Sequence, residues 1–205
     1  MVSSYPVQFD VDFPTRPLDR LTTAFRIVLA IPILIILAIL TNDTIQGSHD
    51  DTTAIAGGVG LLFFPLVLMI LFRQKYPQWW FDWNLNLLRF SNRVTAYLAL
   101  LDDRYPSTDD EQAVHLNLAY PDARQLNRWL PLVKWFLAIP HYVVLFFLGI
   151  AALVSVVIAW FAILFTGTYP RTLFNFVVGV LRWSNRVTGY AFLLVTDQYP
   201  PFRLN

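Results

Sequence analysis

The chain contains no cysteine and little charge. The absence of cysteine excludes disulfides, thiolate metal sites, iron–sulfur clusters and cysteine nucleophiles. Charged residues make up 14% of the chain, whereas soluble domains average about 25%. The 15 Lys and Arg residues nearly balance 14 Asp and Glu, giving a net charge of +1. This balance excludes the dense cationic face that nucleic-acid binding requires.

Familiar catalytic motifs are also missing from the sequence. It has no Gly-rich phosphate loop, no Gly-x-Ser-x-Gly and no His-Glu-x-x-His. The histidines are dispersed, at positions 49, 115 and 141. We therefore predict a protein that is not an enzyme and that has neither a cofactor nor a metal site.

What the sequence does have is apolar and aromatic surface. Hydrophobic residues make up 56% of the chain, aromatic residues 16%, and the mean hydropathy is +0.50. Such a composition is too apolar for a disordered chain. It indicates a membrane protein.

An internal repeat runs through the sequence. LRFSNRVTAY at 88–97 returns as LRWSNRVTGY at 181–190, and LAIP at 29–32 returns at 137–140. The alternating VQFDVDFP at 7–14 returns as VHLNLAYP at 114–121, and each copy ends in an Asp-x-Tyr-Pro motif. Shared blocks in the same order predict two tandem repeats, over 1–106 and 107–205.

Apolar segments predict the membrane crossings, because a spanning helix needs about 20 apolar residues. Segments 21–40 and 54–72 qualify, and the apolar run 129–166 is nearly twice that length. The loop between the first two is acidic, and the basic residues lie elsewhere, which places both termini in the cytoplasm. The same rule favours a hairpin in the long run, with crossings at 129–148 and 150–166 and a turn near Gly149.

The predicted fold is therefore a mainly α membrane protein with four transmembrane helices. Each repeat has a short strand, a transmembrane hairpin and an amphipathic interfacial helix, at about 79–101 and 171–195. These helices combine aromatic residues with a cationic stripe, which is typical of a helix lying in the bilayer interface.

The stripe contains a Ser-Asn-Arg core that both repeats keep. We predict that it binds anionic lipid headgroups, through Arg89, Asn92 and Arg93 in one repeat and Arg182, Asn185 and Arg186 in the other. The alternative is that these arginines pair with local carboxylates, such as Asp82, Asp103 and Asp197, and hold the helix in place.

Two further cations, Arg26 and Lys134, occupy matching positions near the starts of the apolar segments. Each lies roughly 8 Å inside its predicted span, at 1.5 Å per residue. Their long side chains can reach the headgroups from that depth, so we include both as predicted headgroup contacts. The alternative is a buried cation that guards a pathway.

The second repeat resembles a known family through four sequence blocks. They are LAIPHYVV at 137–144, WFAILFTGTYPR at 160–171, VGVLRW at 178–183 and DQYPPF at 197–202. These blocks resemble the DUF4389 family of bacterial integral membrane proteins, and the first repeat resembles a diverged second copy. The resemblance implies a bacterial cytoplasmic-membrane location and no established activity.

Three functions remain open at this point. We favour a non-catalytic scaffold or accessory subunit of a larger bacterial membrane complex, with other membrane subunits and anionic lipids as its partners. A small transporter, channel or lipid-handling protein is the alternative, because repeats and mid-span prolines occur in transporters. A headgroup-modifying enzyme would need a nucleophile or metal that the sequence does not offer.

Overall fold

The computed structural model describes residues 5–41, 66–108, 110 and 112–205. The acidic loop and most of the predicted second span, residues 42–65, lie outside this part of the chain. Within it the fold is mainly helical, as the sequence predicts.

The two alternating segments form a short antiparallel ribbon. Strands β1 (Val7–Val11) and β2 (Val114–Leu118) pair with Phe9 opposite Leu116 at the centre. Their alternation is the reason for this structure, since one face of each strand is buried and the other is exposed. The predicted strands are therefore confirmed.

The helices follow the apolar and amphipathic segments. They are α1 (Arg20–Ala24), α2 (Arg26–Thr41), α3 (Gln78–Leu98), α4 (Leu130–Leu137), α5 (Ile139–Thr166) and α6 (Arg171–Ala191), with a π-helical turn at Met69–Arg73. The predicted span 21–40 is thus broken at Phe25, which ends α1. Pro32 lies inside α2, as predicted. Pro140, predicted to lie mid-span, instead lies in the first turn of α5, where a missing N–H costs nothing.

The predicted hairpin at Gly149 is wrong. Helix α5 continues through this residue for 28 residues without interruption, which is roughly 42 Å at 1.5 Å per residue. A turn there would leave backbone N–H and C=O groups unpaired among apolar side chains, and each such group is costly. Gly149 alone supplies no polar partners for them, so the continuous helix is the more stable arrangement. The separate crossings 129–148 and 150–166 are replaced by one long segment.

Helix α5 is the strongest membrane-spanning candidate. Together with α4 it forms an apolar segment from Leu130 to Thr166 that is long and apolar enough to cross a bilayer, and no other described helix qualifies. Only 11% of its most apolar window is buried inside the protein. A core helix of a soluble protein would be mostly buried, so this exposure points to membrane association. Helix α2 is also apolar but shorter, and four crossings are not supported by the described residues.

The core forms where the ribbon meets α3 and α6. Strand β1 packs on α6 and strand β2 on α3, so each strand contacts the helix that lies in the other half of the chain. Helix α6 runs back along α5, because Tyr142 near the start of α5 contacts Phe192 beyond the end of α6. The inward face of α6 is covered by protein rather than by lipid. The prediction that α6 lies in the bilayer interface stays a prediction, with one face of the helix packed against the protein.

Candidate functional site

A reciprocal amide pair joins α3 to α6. Asn92 donates to the side-chain oxygen of Asn185, and Asn185 donates back, both at 2.8 Å. Each amide also donates to the carbonyl four residues earlier in its own helix. Both side chains are nearly fully buried. Every polar atom of the pair therefore has a partner, which is the condition for placing amides in a core.

Two arginines connect these helices to the ribbon in the same way. Arg89 Nε donates to the Leu116 carbonyl at 3.0 Å, and Arg182 Nε donates to the Phe9 carbonyl at 2.8 Å. Phe9 and Leu116 are directly opposite each other in the ladder. A two-stranded ribbon leaves unpaired carbonyls along both edges, and the guanidinium groups satisfy them. Arg182 also forms an ion pair of 2.8 Å with Asp10.

The next arginine along each helix holds a segment of chain. Arg93 donates to the Ser107 carbonyl at 2.9 Å. Arg186 donates to the main-chain oxygens of Arg203 and Asn205, at 3.1 and 2.7 Å. Burial, and then the positive charges of Arg203 and Arg182, lower the pKa of Arg186. A guanidinium remains charged even so, and the main-chain oxygens compensate for its lost hydration.

The two halves differ beside these arginines. In the second half, Gly179 lies against Leu204, so close that an added Cβ would be 2.8 Å from the Leu204 Cβ. In the first half Asn86 occupies the matching position, and a cavity of about 520 Å³ opens there. Its lining is polar and includes Asn86, Arg89, Arg93, Thr108, Gln112, His115 and Asn117. This chemistry suits a ligand with several hydrogen-bond acceptors.

The two early cations are buried beneath these helices. Lys134 is fully buried, donates to the Thr196 carbonyl at 2.7 Å and forms an ion pair of 2.7 Å with Asp197. Arg26 donates through Nη1 to the carbonyls of Tyr97 and Asp102. Each cation also lies over a tyrosine ring, Arg26 over Tyr97 and Lys134 over Tyr190. Both therefore bind the chain segment that follows the long amphipathic helix.

These positions change the interpretation of the predicted headgroup residues. Asn92, Asn185, Arg93, Arg186 and Lys134 are at most 8% exposed, so a headgroup at the surface does not reach them. The reason is that unpaired main-chain oxygens of the ribbon and of the loops after α3 and α6 recruit the donors. A structural role describes these residues better, but among the described residues the arginines of the stripe bind main-chain oxygens and Asp10, and not the predicted Asp82, Asp103 or Asp197. Arg89 and Arg182 are only partly buried, and Arg26 borders a separate cavity.

Sequence reasoning missed a buried histidine–tryptophan contact. Trp183 Nε1 donates to His141 Nδ1 at 3.0 Å, and the imidazole stacks on Phe202. His141 is absent from the first half, where Ile33 stands, so the repeat concealed it. In the sequence, Phe202 stood out only as part of the DQYPPF block, and nothing indicated its contacts with His141 and Trp183. Nowhere in the described part of the chain do three or more acidic or histidine side chains gather into a metal site.

Residues 129–203 match a protein-family model described as a domain of unknown function, DUF4389. This part of the chain is therefore similar to the DUF4389 family. The matched region begins just before α4 and ends at Arg203, the first residue whose main-chain oxygen Arg186 binds, so it includes α4, α5 and α6. The match covers one copy, in the second half of the chain. No curated protein and no solved structure matches the chain.

Proposed function

We propose that this protein is a non-catalytic integral membrane scaffold or accessory subunit of a larger complex in the bacterial cytoplasmic membrane. The observation that carries this proposal is the exposed apolar surface of α5, whose most apolar window is only 11% buried. Large side chains such as Phe146, Phe147 and Phe165 are mostly exposed on it. Contiguous surfaces of this kind need lipid or a partner protein to cover them.

The polar network supports a scaffold rather than an enzyme. Its arginines and asparagines engage main-chain oxygens and each other, as described above, which fixes the helices and leaves no group poised for acid–base or nucleophilic chemistry in the described network. Such a rigid body is suited to presenting membrane helices to other subunits.

We further infer that the chain is a tandem duplication related by an approximate two-fold axis. Support comes from residues that match in the sequence repeat and make matching contacts. Phe9 faces Leu116, Asn92 faces Asn185, and Phe13 meets Phe174 edge-on as Tyr120 meets Phe81. Because the strand of each half packs on the long amphipathic helix of the other half, each half completes the core of the other.

The polar cavity at Arg89 is the part of the predicted headgroup site that we retain. Arg89 is half-buried there and presents a planar guanidinium, the group best suited to phosphate oxygens. An anionic lipid headgroup is its proposed ligand. We propose no equivalent role for Arg182, since its guanidinium already donates hydrogen bonds to Asp10 and to the Leu204 carbonyl.

Two experiments test this function. Solubilisation in mild detergent followed by affinity purification should recover partner subunits in fixed stoichiometry, and a monodisperse protein without partners would contradict the scaffold role. For the headgroup contact, Arg89→Gln should reduce retention of phosphatidylglycerol in nanodiscs relative to phosphatidylcholine. Arg124→Gln, on an exposed loop residue, is the matched control that should leave retention unchanged.

A further inference from the structure

A second cavity lies beside the start of α2, and its lining is mainly apolar. It has a volume of about 390 Å³, within the range of roughly 300–1,000 Å³ typical of ligand sites. The wall consists of residues from α1, α2, the end of α3 and α5: Thr23, Ala24, Arg26, Ile27, Leu98, Leu100, Leu153, Val156, Val157 and Trp160. Arg26 is the single charged residue among them.

One edge of the Arg26 guanidinium makes no hydrogen bond to the rest of the described chain. Its Nη1 donates to main-chain carbonyls and its face lies 4.3 Å from the centroid of the Tyr97 ring. Its Nε and Nη2 have no hydrogen-bond partner among the described residues, although the side chain is only 2% exposed. These two N–H groups form the side-on edge of the guanidinium, which binds the paired oxygens of a carboxylate or phosphate. A buried donor pair without an acceptor is costly.

Arg26 also lacks the direct ion pair that its counterpart has, although Asp103, Asp102 and Asp19 lie near enough to act on its charge. Lys134 is neutralised by Asp197, whereas the matching Asp103 pairs with Arg16, and Asp102 pairs with Arg104. None of the ion pairs between described residues includes Arg26. A buried cation normally requires an anionic partner. The cavity thus combines an apolar wall with a cation whose Nε and Nη2 have no acceptor among the described residues.

We propose that this cavity binds an anionic amphiphile. Its carboxylate or phosphate accepts hydrogen bonds from Nε and Nη2 of Arg26, and its alkyl chain lies along Leu153, Val157 and Trp160 of α5. This inference rests on the proposed membrane location, because Ile27 and Leu153 at the wall are largely exposed and would face acyl chains there. It adds a second lipid contact to the one proposed at Arg89, and it selects Arg26 over Lys134 because two N–H groups of Arg26 lack an acceptor whereas Lys134 is paired with Asp197.

The test measures binding of four probes to the purified full-length protein in neutral detergent. They are radiolabelled dodecanoate, dodecyl phosphate, dodecanol and inorganic phosphate. Dodecanoate and dodecyl phosphate should bind saturably, and dodecanol about tenfold or more weakly, because it cannot provide two anionic oxygens. Inorganic phosphate alone should not compete, since it lacks the chain. Equal binding of dodecanol, or strong binding of inorganic phosphate, would overturn the proposal.

Three variants locate the site. Arg26→Met should abolish selective binding of the anionic probes, and Arg26→Lys should weaken it, since an ammonium keeps the charge but loses the paired donors. Val157→Trp fills the apolar end at a half-exposed position and leaves Arg26 in place, so it tests the site even if Arg26→Met does not fold. Arg124→Met, at an exposed loop residue outside both cavities, is the control that should bind normally. Undiminished binding by a folded Val157→Trp protein would refute the site.

Resistance to carbonate extraction from membranes separates this inference from the proposed function. A protein that resists extraction but binds no anionic probe would disprove the cavity's role and leave the membrane location intact. Release of the protein by carbonate would contradict the membrane location, and so remove the basis of both the proposed function and the cavity's role.

Discussion

The reciprocal pair of Asn92 and Asn185 provides the sharpest test of how the two halves are joined. Replacing one asparagine by leucine, which has a similar shape, leaves the other amide buried without a partner. The structure assigns two inter-helix hydrogen bonds to the pair, both 2.8 Å long. Losing them and stranding a buried amide should cost about 2–4 kcal/mol of unfolding free energy.

The double replacement is the informative measurement. With both amides gone, no stranded polar group remains, and an apolar pair of the same shape is close to neutral. We therefore expect Asn92→Leu/Asn185→Leu to be more stable than either single variant, with a coupling energy of about 2 kcal/mol or more. Unfolding in mixed micelles with increasing denaturing detergent gives the free energies.

A matched control is Asn84→Leu. Asn84 is only half-buried and its described hydrogen bond is to the Trp80 carbonyl within α3, so its replacement should change stability by less than about 1 kcal/mol. Additive costs for Asn92 and Asn185 would show that the amides do not contact each other. The joined arrangement of α3 and α6 would then be wrong.

The remaining predictions concern α5 and the packing of α6. The chain has no native cysteine, so single cysteines introduced at Gln125 and Thr168 can be labelled uniquely. If α4 and α5 cross the membrane once, an impermeant reagent added on one side labels only one of the two positions. Labelling of both positions from the same side would contradict the single crossing. Gly149→Ala should raise stability by about 1 kcal/mol, because nothing lies within 4 Å of the added methyl group; a lower unfolding midpoint would instead favour a turn at this residue. Gly189→Ala should lower stability by about 1–3 kcal/mol, since its Cβ would lie 2.6 Å from Val7 Cγ2; an unchanged midpoint would mean that β1 does not pack on α6.

Local patterns accounted for the elements of the fold. The alternation of Val7–Val11 and Val114–Leu118 predicted two strands, because burying one face of a strand requires a period of two. The amphipathic segments became α3 and α6 within a few residues of the predicted bounds. The family of residues 129–203 was likewise visible in short blocks of sequence. The repeat indicated which residues would play equivalent roles, although it did not say what those roles are.

The rule that Lys and Arg collect on the cytoplasmic side predicted a turn at Gly149, and this prediction was wrong. The rule compares topologies only by the charged residues that flank the apolar segments. It takes no account of the backbone hydrogen bonds that a turn among apolar side chains would forfeit. A continuous helix of 28 residues keeps these backbone hydrogen bonds. Their free energy therefore decided the structure here, and the distribution of Lys and Arg did not. The sequence offered a warning, since no polar turn residues surround Gly149.

The sequence by itself determined the apolar character of the chain, its secondary structure outside the region of Gly149, and the similarity of residues 129–203 to a known family, because composition and periodicity act over short distances. Only the tertiary structure decided what the cations bind. Asp197 pairs with Lys134, whereas the matching Asp103 pairs with Arg16, and two N–H groups of Arg26, which borders an apolar cavity, have no hydrogen-bond partner among the described residues. Matching positions of the repeat thus form different sites, since the partner of a buried charge is set by which distant segment packs against it.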